Sequence, residues 1–108
     1  ISRTFYFDYD QAVLKPADLS ALEMHAGILR RNRDRSIVIE GHCDERGTRE
    51  YNLALGEGRA TAVSNFLISA GVRAGQIELV SYGEERPEDP GHNESAWSRN
   101  RRAIVSYQ

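Results

Sequence analysis

A long helical stretch lies between two strand-like stretches, and this order constrains the fold more than any other feature. One face of the helix carries, every three or four positions, Asn52, Leu55, Arg59, Val63, Phe66 and Ala70, which is the spacing of an α-helix. The helix is predicted to cover residues 49–70 and to end before Gly71. β-branched residues in 36–40 and 77–82 predict a strand on each side. Helical connections between consecutive strands favour helices packed on a sheet.

The rest of the chain adds one helix and two strands to this pattern. Residues 4–7 are aromatic and strand-like, and residues 103–107 read as a final strand. Leu22, Ala26 and Leu29 recur at helical spacing, and Asp18 is the predicted N-cap of that helix. A proline-bearing loop over 84–94 follows the third strand. We therefore predict one α/β (α+β sandwich) domain over residues 1–108, ordered βαβαββ, with a mixed four-stranded sheet and helices packed on one face.

Composition and charge exclude several classes of function. The chain has 108 residues, of which 40% are hydrophobic and 28% charged, as expected of a single globular domain. Its formal net charge of -2 argues against nucleic-acid binding, which requires a basic face. No apolar run approaches the ~18 residues of a membrane span, and a single cysteine excludes an internal disulfide. Because the chain begins at Ile1 rather than Met, we expect that a targeting or anchoring segment precedes it.

Residues 41–47, GHCDERG, contain residue types that bind metals and perform catalysis. Neighbouring side chains at the end of a strand point in different directions, whereas a zinc site uses ligand pairs separated along the chain. We therefore predict no metal site and no cofactor. Adjacency along a strand also places His42 and Cys43 on opposite faces of the sheet. No nucleophile and base can then be paired, and no enzymatic activity is predicted.

Arg59 lies on the apolar face of the long helix, where an unpaired charge is costly. Asp44 leaves the preceding strand close to the start of this helix and is its natural neighbour. Two interpretations remain open at this point. Asp44 and Arg59 form a salt bridge that only ties the loop to the helix, or they flank a cleft and hold a zwitterion. In the second case we expect the pair to be hydrated without ligand and to contribute little to stability.

The segment EGHCDERGTREYNLALGEGRATAV resembles the signature of the OmpA-like peptidoglycan-binding domain, a strand followed by T/A/C-D-x-x-G and N-x-x-L-(S/G)-x-x-R-A. The segments FYFDYD, VSYGEERP and NRRAIVSY also lie where that family places them, so the resemblance covers essentially the whole chain. GHCDERGTREYN, SYGEERP and GHNESAWSRNRRA look more like the peptidoglycan-associated lipoproteins (Pal) than like the porin-tethered or flagellar-motor members.

The resemblance implies that the domain binds, without cleaving, the meso-diaminopimelate of the peptidoglycan stem peptide. Carried over by position, Asp44 would hold the ammonium and Arg59 the carboxylate of that residue. The other implied ligand-binding residues line the pocket or form its opposite wall: Asn52, Leu55, Asp8, Tyr9 and Cys43. The thiol of Cys43 is expected to be dispensable, since relatives often have Ala or Thr there. Two interpretations apply to the arginines before the last strand, which either contact the glycan or stem or are solvated at the strand start: Arg99, Arg101 and Arg102.

The resemblance also implies partners and a location. Pal-type proteins are anchored to the outer membrane of Gram-negative bacteria by a lipid on an N-terminal cysteine, which would precede Ile1. The expected location is the periplasmic side of that membrane, in the Tol–Pal system that supports cell-envelope integrity and cell division. The expected partners are the peptidoglycan stem peptide and the TolB β-propeller. Alternatives are the equivalent domain of an OmpA-type porin or of a flagellar motor stator protein, and, from another class, a peptidoglycan-processing enzyme.

Overall fold

A computed structural model describes all 108 residues of the chain. It contains four strands and three α-helices in the order β1 (Thr4–Tyr6), α1 (Leu19–Arg31), β2 (Ile37–His42), α2 (Arg49–Ser69), β3 (Ile77–Gly83), α3 (Glu94–Asn100) and β4 (Arg102–Tyr107). Short 3-10 turns precede α1 and β3, at Pro16–Asp18 and Ala74–Gln76. None of the helices is both long and apolar enough to span a membrane.

The four strands form one mixed sheet in the order β1-β4-β2-β3. β2 and β3 run parallel, with Ile37 opposite Ile77, and α2 is the crossover between them. β4 lies antiparallel to both β1 and β2. The predicted mixed four-stranded sheet of an α/β fold is therefore confirmed.

The hydrophobic core lies between one face of this sheet and the two long helices. Its strand-side and helix-side members are buried together: Phe5, Phe7, Ile37, Ile39, Ala103 and Val105 from the sheet, and Leu22, Ala26, Leu29, Ala60, Val63 and Leu67 from α1 and α2. The alternation along β2 follows from the pleat, since Ile37 and Ile39 are buried and Val38 between them is only partly covered. Both long helices therefore cover the same face, as predicted.

A pair of glycines sets how closely α2 approaches β2. A Cβ atom on Gly41 would lie 1.7 Å from the carbonyl oxygen of Gly56, so any side chain at this position would force α2 away from β2. This contact lies at the carboxyl end of β2, one helical turn before Arg59. It therefore determines the distance between the functional helix and the loop that follows β2.

Two local predictions need correction. Asp18 does occupy the N-cap position of α1, but its backbone is already helical (φ -90, ψ -10) and its side chain makes no capping bond, whereas an N-cap residue normally has extended backbone. The segment between β3 and β4 also contains α3, which the predicted order βαβαββ lacked. The side chain of Asn93 caps this helix by accepting a hydrogen bond from the Ala96 N–H, 2.9 Å away. An Asn followed by Glu94 is a helix-start signal that the sequence did contain.

Candidate functional site

One pocket lies where the carboxyl end of β2, the first turns of α2 and the loop after β1 meet. It is lined by Tyr9, Asp10, Cys43, Asp44, Arg46, Gly47, Tyr51, Asn52, Leu55 and Arg59. Six of the seven predicted ligand-binding residues are in this lining: Tyr9, Cys43, Asp44, Asn52, Leu55 and Arg59. The exception is Asp8, whose exposed carboxylate pairs with Lys15 at 3.2 Å instead. Its predicted place in the pocket wall is not observed.

Arg59 is fully buried and bound entirely by backbone carbonyls. Its Nε donates to Gln11 O at 2.9 Å, Nη1 to His42 O at 2.9 Å and Nη2 to Asp8 O at 3.2 Å. The guanidinium has more N–H groups than these three bonds use. No ion pair joins it to Asp44, so a structural Asp44–Arg59 salt bridge was a wrong interpretation. Burial lowers the pKa of Arg59, and the expectation that the pair is hydrated without ligand was wrong as well, since Arg59 and Asp44 are both buried.

Asp44 is buried and already holds two cations. Arg46 binds it through its backbone N–H and Nε on Oδ1, at 3.0 and 3.2 Å, and through Nη2 on Oδ2 at 2.8 Å. Arg101 Nη1 lies 3.5 Å from the same Oδ2. Burial acts to raise the pKa of Asp44, but the hydrogen bonds and charge of Arg46 and the bond from Arg101 outweigh it, and the pKa is lowered. The carboxylate is therefore ionised at neutral pH.

Two of the three arginines around the start of β4 are not solvated. Arg101 and Arg102 are only 7% and 5% exposed, whereas Arg99 is exposed and pairs with Asp89 at 2.6 Å. Arg101 donates from Nε to Phe7 O at 2.9 Å and pairs with Glu94 at 2.8 Å in addition to its contact with Asp44. The interpretation of these two residues as a solvated strand start was therefore wrong. Arg101 instead connects β4 to the pocket carboxylate.

Arg46 is a site residue that sequence reasoning missed. Its guanidinium carbon lies 4.2 Å from the ring centre of Tyr9 and 4.1 Å from that of Trp97. Asp10 and Tyr51 were also missed; the Tyr51 hydroxyl donates to the Asp10 carboxylate across the mouth of the pocket. Only the spacing Asp44–x–Arg46 hinted at this arrangement, because a residue two positions on can reach back to a carboxylate in a turn.

The loop after β2 is fastened to α2 by Asn52. Its Nδ2 donates to Arg46 O at 3.0 Å and to Glu84 Oε1 at 3.2 Å, and it lies 3.4 Å from Asp44 O. Thr48 caps the helix by accepting from the Tyr51 N–H at 3.1 Å. Asn52 is thus part of the pocket lining and also holds in place the loop that carries the pocket carboxylate.

Cys43 is not in a state that favours nucleophilic chemistry. It is 3% exposed, and its thiol donates to Asn52 O at 3.2 Å. Burial raises the pKa of Cys43 to about 11, so the thiol stays protonated at neutral pH. The ring of His42 packs against Tyr82, with the ring centres 5.5 Å apart, and its Nε2 lies 3.2 Å from a Glu40 oxygen. No group of three or more His, Cys, Asp or Glu side chains is placed to hold a metal ion.

Comparison with known proteins places the chain in a family. Residues 6–101 match the OmpA family model. A peptidoglycan-associated lipoprotein of Pseudomonas aeruginosa is 57% identical over 99 residues, which are 92% of this chain and 58% of that protein. The protein of the same name from Pasteurella multocida is 47% identical over 104 residues, or 96% and 69% of the two chains. This chain therefore spans about three fifths of the first relative's length.

Solved structures agree with this assignment. The crystal structure of the peptidoglycan-associated lipoprotein from Burkholderia pseudomallei has a TM-score of 0.98 at 46% identity, covering 99% of this chain and 91% of that one. The C-terminal domain of Helicobacter pylori MotB shares the fold, with a TM-score of 0.88 at 22% identity, covering 100% of this chain and 85% of that one. The chain belongs to the OmpA family, where it groups with the peptidoglycan-associated lipoproteins.

Proposed function

We propose that this domain, as a single module, binds the peptidoglycan stem peptide through its meso-diaminopimelate residue and does not cleave it. One observation carries the proposal: a buried carboxylate, Asp44, and a buried guanidinium, Arg59, open onto the same pocket without pairing with each other. Two unlike charges held apart in this way suit a ligand that carries an ammonium and a carboxylate on one carbon. The side-chain end of diaminopimelate has that structure.

Each charge has a distinct role in this proposal. The N–H groups of Arg59 that the three carbonyls leave free donate to the ligand carboxylate, and the ion pair strengthens those bonds. Asp44 accepts from the ligand ammonium. Tyr9 and Leu55 form apolar walls around the methylene chain of the ligand. Asp8 acts only through its backbone, since its carbonyl orients Arg59.

The cellular role follows from the same proposal. Relatives carry the name peptidoglycan-associated lipoprotein, which supports a role in tethering the outer membrane to the cell wall from its periplasmic side. The lipid anchor would belong to the part of the full-length protein that precedes this domain. The TolB β-propeller remains a proposed partner, with the Tol–Pal system as the proposed context.

A non-catalytic role is proposed because the pocket lacks an activated nucleophile. Cys43 is protonated and already donates its hydrogen to Asn52. Asp44 is an ionised carboxylate neutralised by two guanidinium groups, which reduces its capacity as a general base.

Cosedimentation with isolated peptidoglycan sacculi tests both parts of the proposal. The domain should pellet with the sacculi and release no soluble muropeptides; release of fragments would indicate an enzyme instead. Titration with a diaminopimelate stem peptide should give weaker binding for Asp44→Asn by roughly tenfold to hundredfold, since a charge-assisted contact of about 1.5–3 kcal/mol is lost. Asn keeps the shape of the carboxylate but has one acceptor oxygen fewer for Arg46 and Arg101, so a thermal melt of the variant checks that the loop stays folded.

Cys43→Ala is the matched control at the neighbouring position. Its thiol has no role in the proposed contacts, so the affinity should stay within about twofold of the wild type. Wild-type affinity in Asp44→Asn, or loss of binding in Cys43→Ala, would contradict the proposed roles of these residues.

A further inference from the structure

Arg46 gives Asp44 a cation before any ligand arrives. Its Nε and Nη2 bind the two carboxylate oxygens side by side, and its guanidinium lies between the rings of Tyr9 and Trp97. Trp97 is itself held by a bond from Nε1 to Glu45 Oε2 at 2.8 Å. These contacts therefore fix the orientation of the Arg46 guanidinium against Asp44. A ligand ammonium that binds Asp44 must compete for oxygens that Arg46 already occupies.

Of the three guanidinium groups at the pocket, that of Arg46 is the most exposed. Arg59 is fully buried and bound to three carbonyls. Arg101 has a 9% exposed side chain and is fastened to Phe7 O and Glu94. The side chain of Arg46 is 32% exposed and lies on the loop between β2 and α2. Displacing it leaves Asp44 with Arg101 as its remaining partner.

We propose that Arg46 is a specificity-determining residue, which admits an ammonium to Asp44 only when the same ligand also carries a carboxylate. The inference rests on the proposed function and names the selection that this pocket makes. A ligand with an ammonium alone replaces one cation by another at Asp44 and leaves the displaced Arg46 with only the more distant carboxylate of Glu94, 3.9 Å away, as an anionic partner. It also adds a positive charge beside Arg59. A ligand with both groups supplies a carboxylate to Arg59 and to the released Arg46, so this exchange adds ion pairs to the one that it replaces at Asp44.

The selection therefore separates two kinds of stem peptide. Diaminopimelate carries an ammonium and a carboxylate at its side-chain end, and lysine at the same position carries only the ammonium. With Arg46 removed, Asp44 is open to either ammonium, and the lysine peptide no longer has to displace a guanidinium.

The test is a titration of two synthetic stem peptides that differ only in diaminopimelate or lysine, against the wild type and Arg46→Gln. Wild type should prefer the diaminopimelate peptide. Arg46→Gln should bind the lysine peptide more tightly, on the order of tenfold, because one competing charge-assisted pair is gone. The preference for diaminopimelate should fall by a similar factor.

Arg49→Gln is the control for a simple change in charge. Arg49 lies at the start of α2, is exposed, and pairs with Glu85 at 2.8 Å outside the pocket. Its removal should leave the ratio of the two affinities unchanged. In Arg46→Lys, an ammonium cannot hold both oxygens of Asp44 as a guanidinium does, so the preference should be intermediate.

A second readout follows Arg46 itself. In the wild type, the NMR signal of the Arg46 Nε–H should shift when the diaminopimelate peptide is added, since this group leaves Asp44. Thermal melts of all variants confirm folding. An unchanged affinity ratio in Arg46→Gln, or an equal weakening for both peptides, would overturn the inference while leaving the proposed function standing. A wild type that binds neither peptide would overturn both.

Discussion

Replacing Arg59 by Met should cost stability as well as binding, because the buried guanidinium joins three segments of backbone. Arg59→Met removes its bonds to the carbonyls of Asp8, Gln11 and His42. The bond to His42 O is buried, so that carbonyl loses its partner at a cost of about 1–3 kcal/mol. The other two bonds are only partly buried, and water replaces them at about 0.5–1.5 kcal/mol each. Relief of the desolvation of a buried charge offsets part of this sum, which leaves about 2–4 kcal/mol.

Urea unfolding at neutral pH measures this loss directly. The urea concentration at the unfolding midpoint should fall. In a separate thermal melt, the melting temperature should be lower by roughly 10–25 °C for a domain of this size. Arg49→Met removes an exposed arginine of the same helix and should change the unfolding free energy by no more than about 0.5 kcal/mol. If Arg59→Met unfolds at the wild-type urea concentration, the carbonyl cluster does not stabilise the fold and the reasoning fails.

Two further predictions concern stability. Gly58→Ala should stabilise α2 by about 0.5–1 kcal/mol, since Ala loses less backbone entropy and its Cβ would meet only Ala12 Cβ at 3.6 Å. Gly56→Ala should destabilise the domain, since its Cβ would lie 2.3 Å from Ser81 Oγ. Denaturant unfolding of both variants should therefore give changes in unfolding free energy of opposite sign. Acid should also destabilise the domain as the pH falls below 6.5. Burial, followed by the nearby charge of Arg102, lowers the pKa of His42, and burial lowers that of His25, from the usual 6.5. The unfolded chain therefore binds more protons than the folded one in this window. Unfolding curves at pH 7.5, 6.5 and 5.5 should show that His42→Gln loses less unfolding free energy on acidification than the wild type does. A flat wild-type profile would contradict this reading of His42.

The partners of Asp44 and Arg59 explain why these two residues do not form an ion pair with each other across the pocket. Asp44 takes Arg46 and Arg101, while Arg59 takes only carbonyls. Asp44 and Arg59 therefore each have partners without pairing with one another. A ligand ammonium has to exchange with Arg46 at Asp44, which is the basis of the selection proposed for Arg46.

The sequence by itself determined the element order along most of the chain and predicted six of the ten residues that line the pocket. Periodicity alone placed Arg59 on the face of α2 that carries Val63, and the structure has both residues fully buried. It also placed Asp44 at the end of β2, next to the helix start. Local patterns suffice here because burial of one helix face and the turn after a strand depend on residues a few positions apart.

Only the tertiary structure decided which groups these charges meet. The carbonyl partners of Arg59 lie 17, 48 and 51 positions away, and Arg101 reaches Asp44 over 57 positions. Any residue type supplies a backbone carbonyl, so no sequence pattern marks these partners. Whether Asp44 pairs with Arg46 or with Arg59 depends on the backbone path of the loop and on the stacking of Tyr9 and Trp97, which residues far apart in sequence create only when the sheet is assembled.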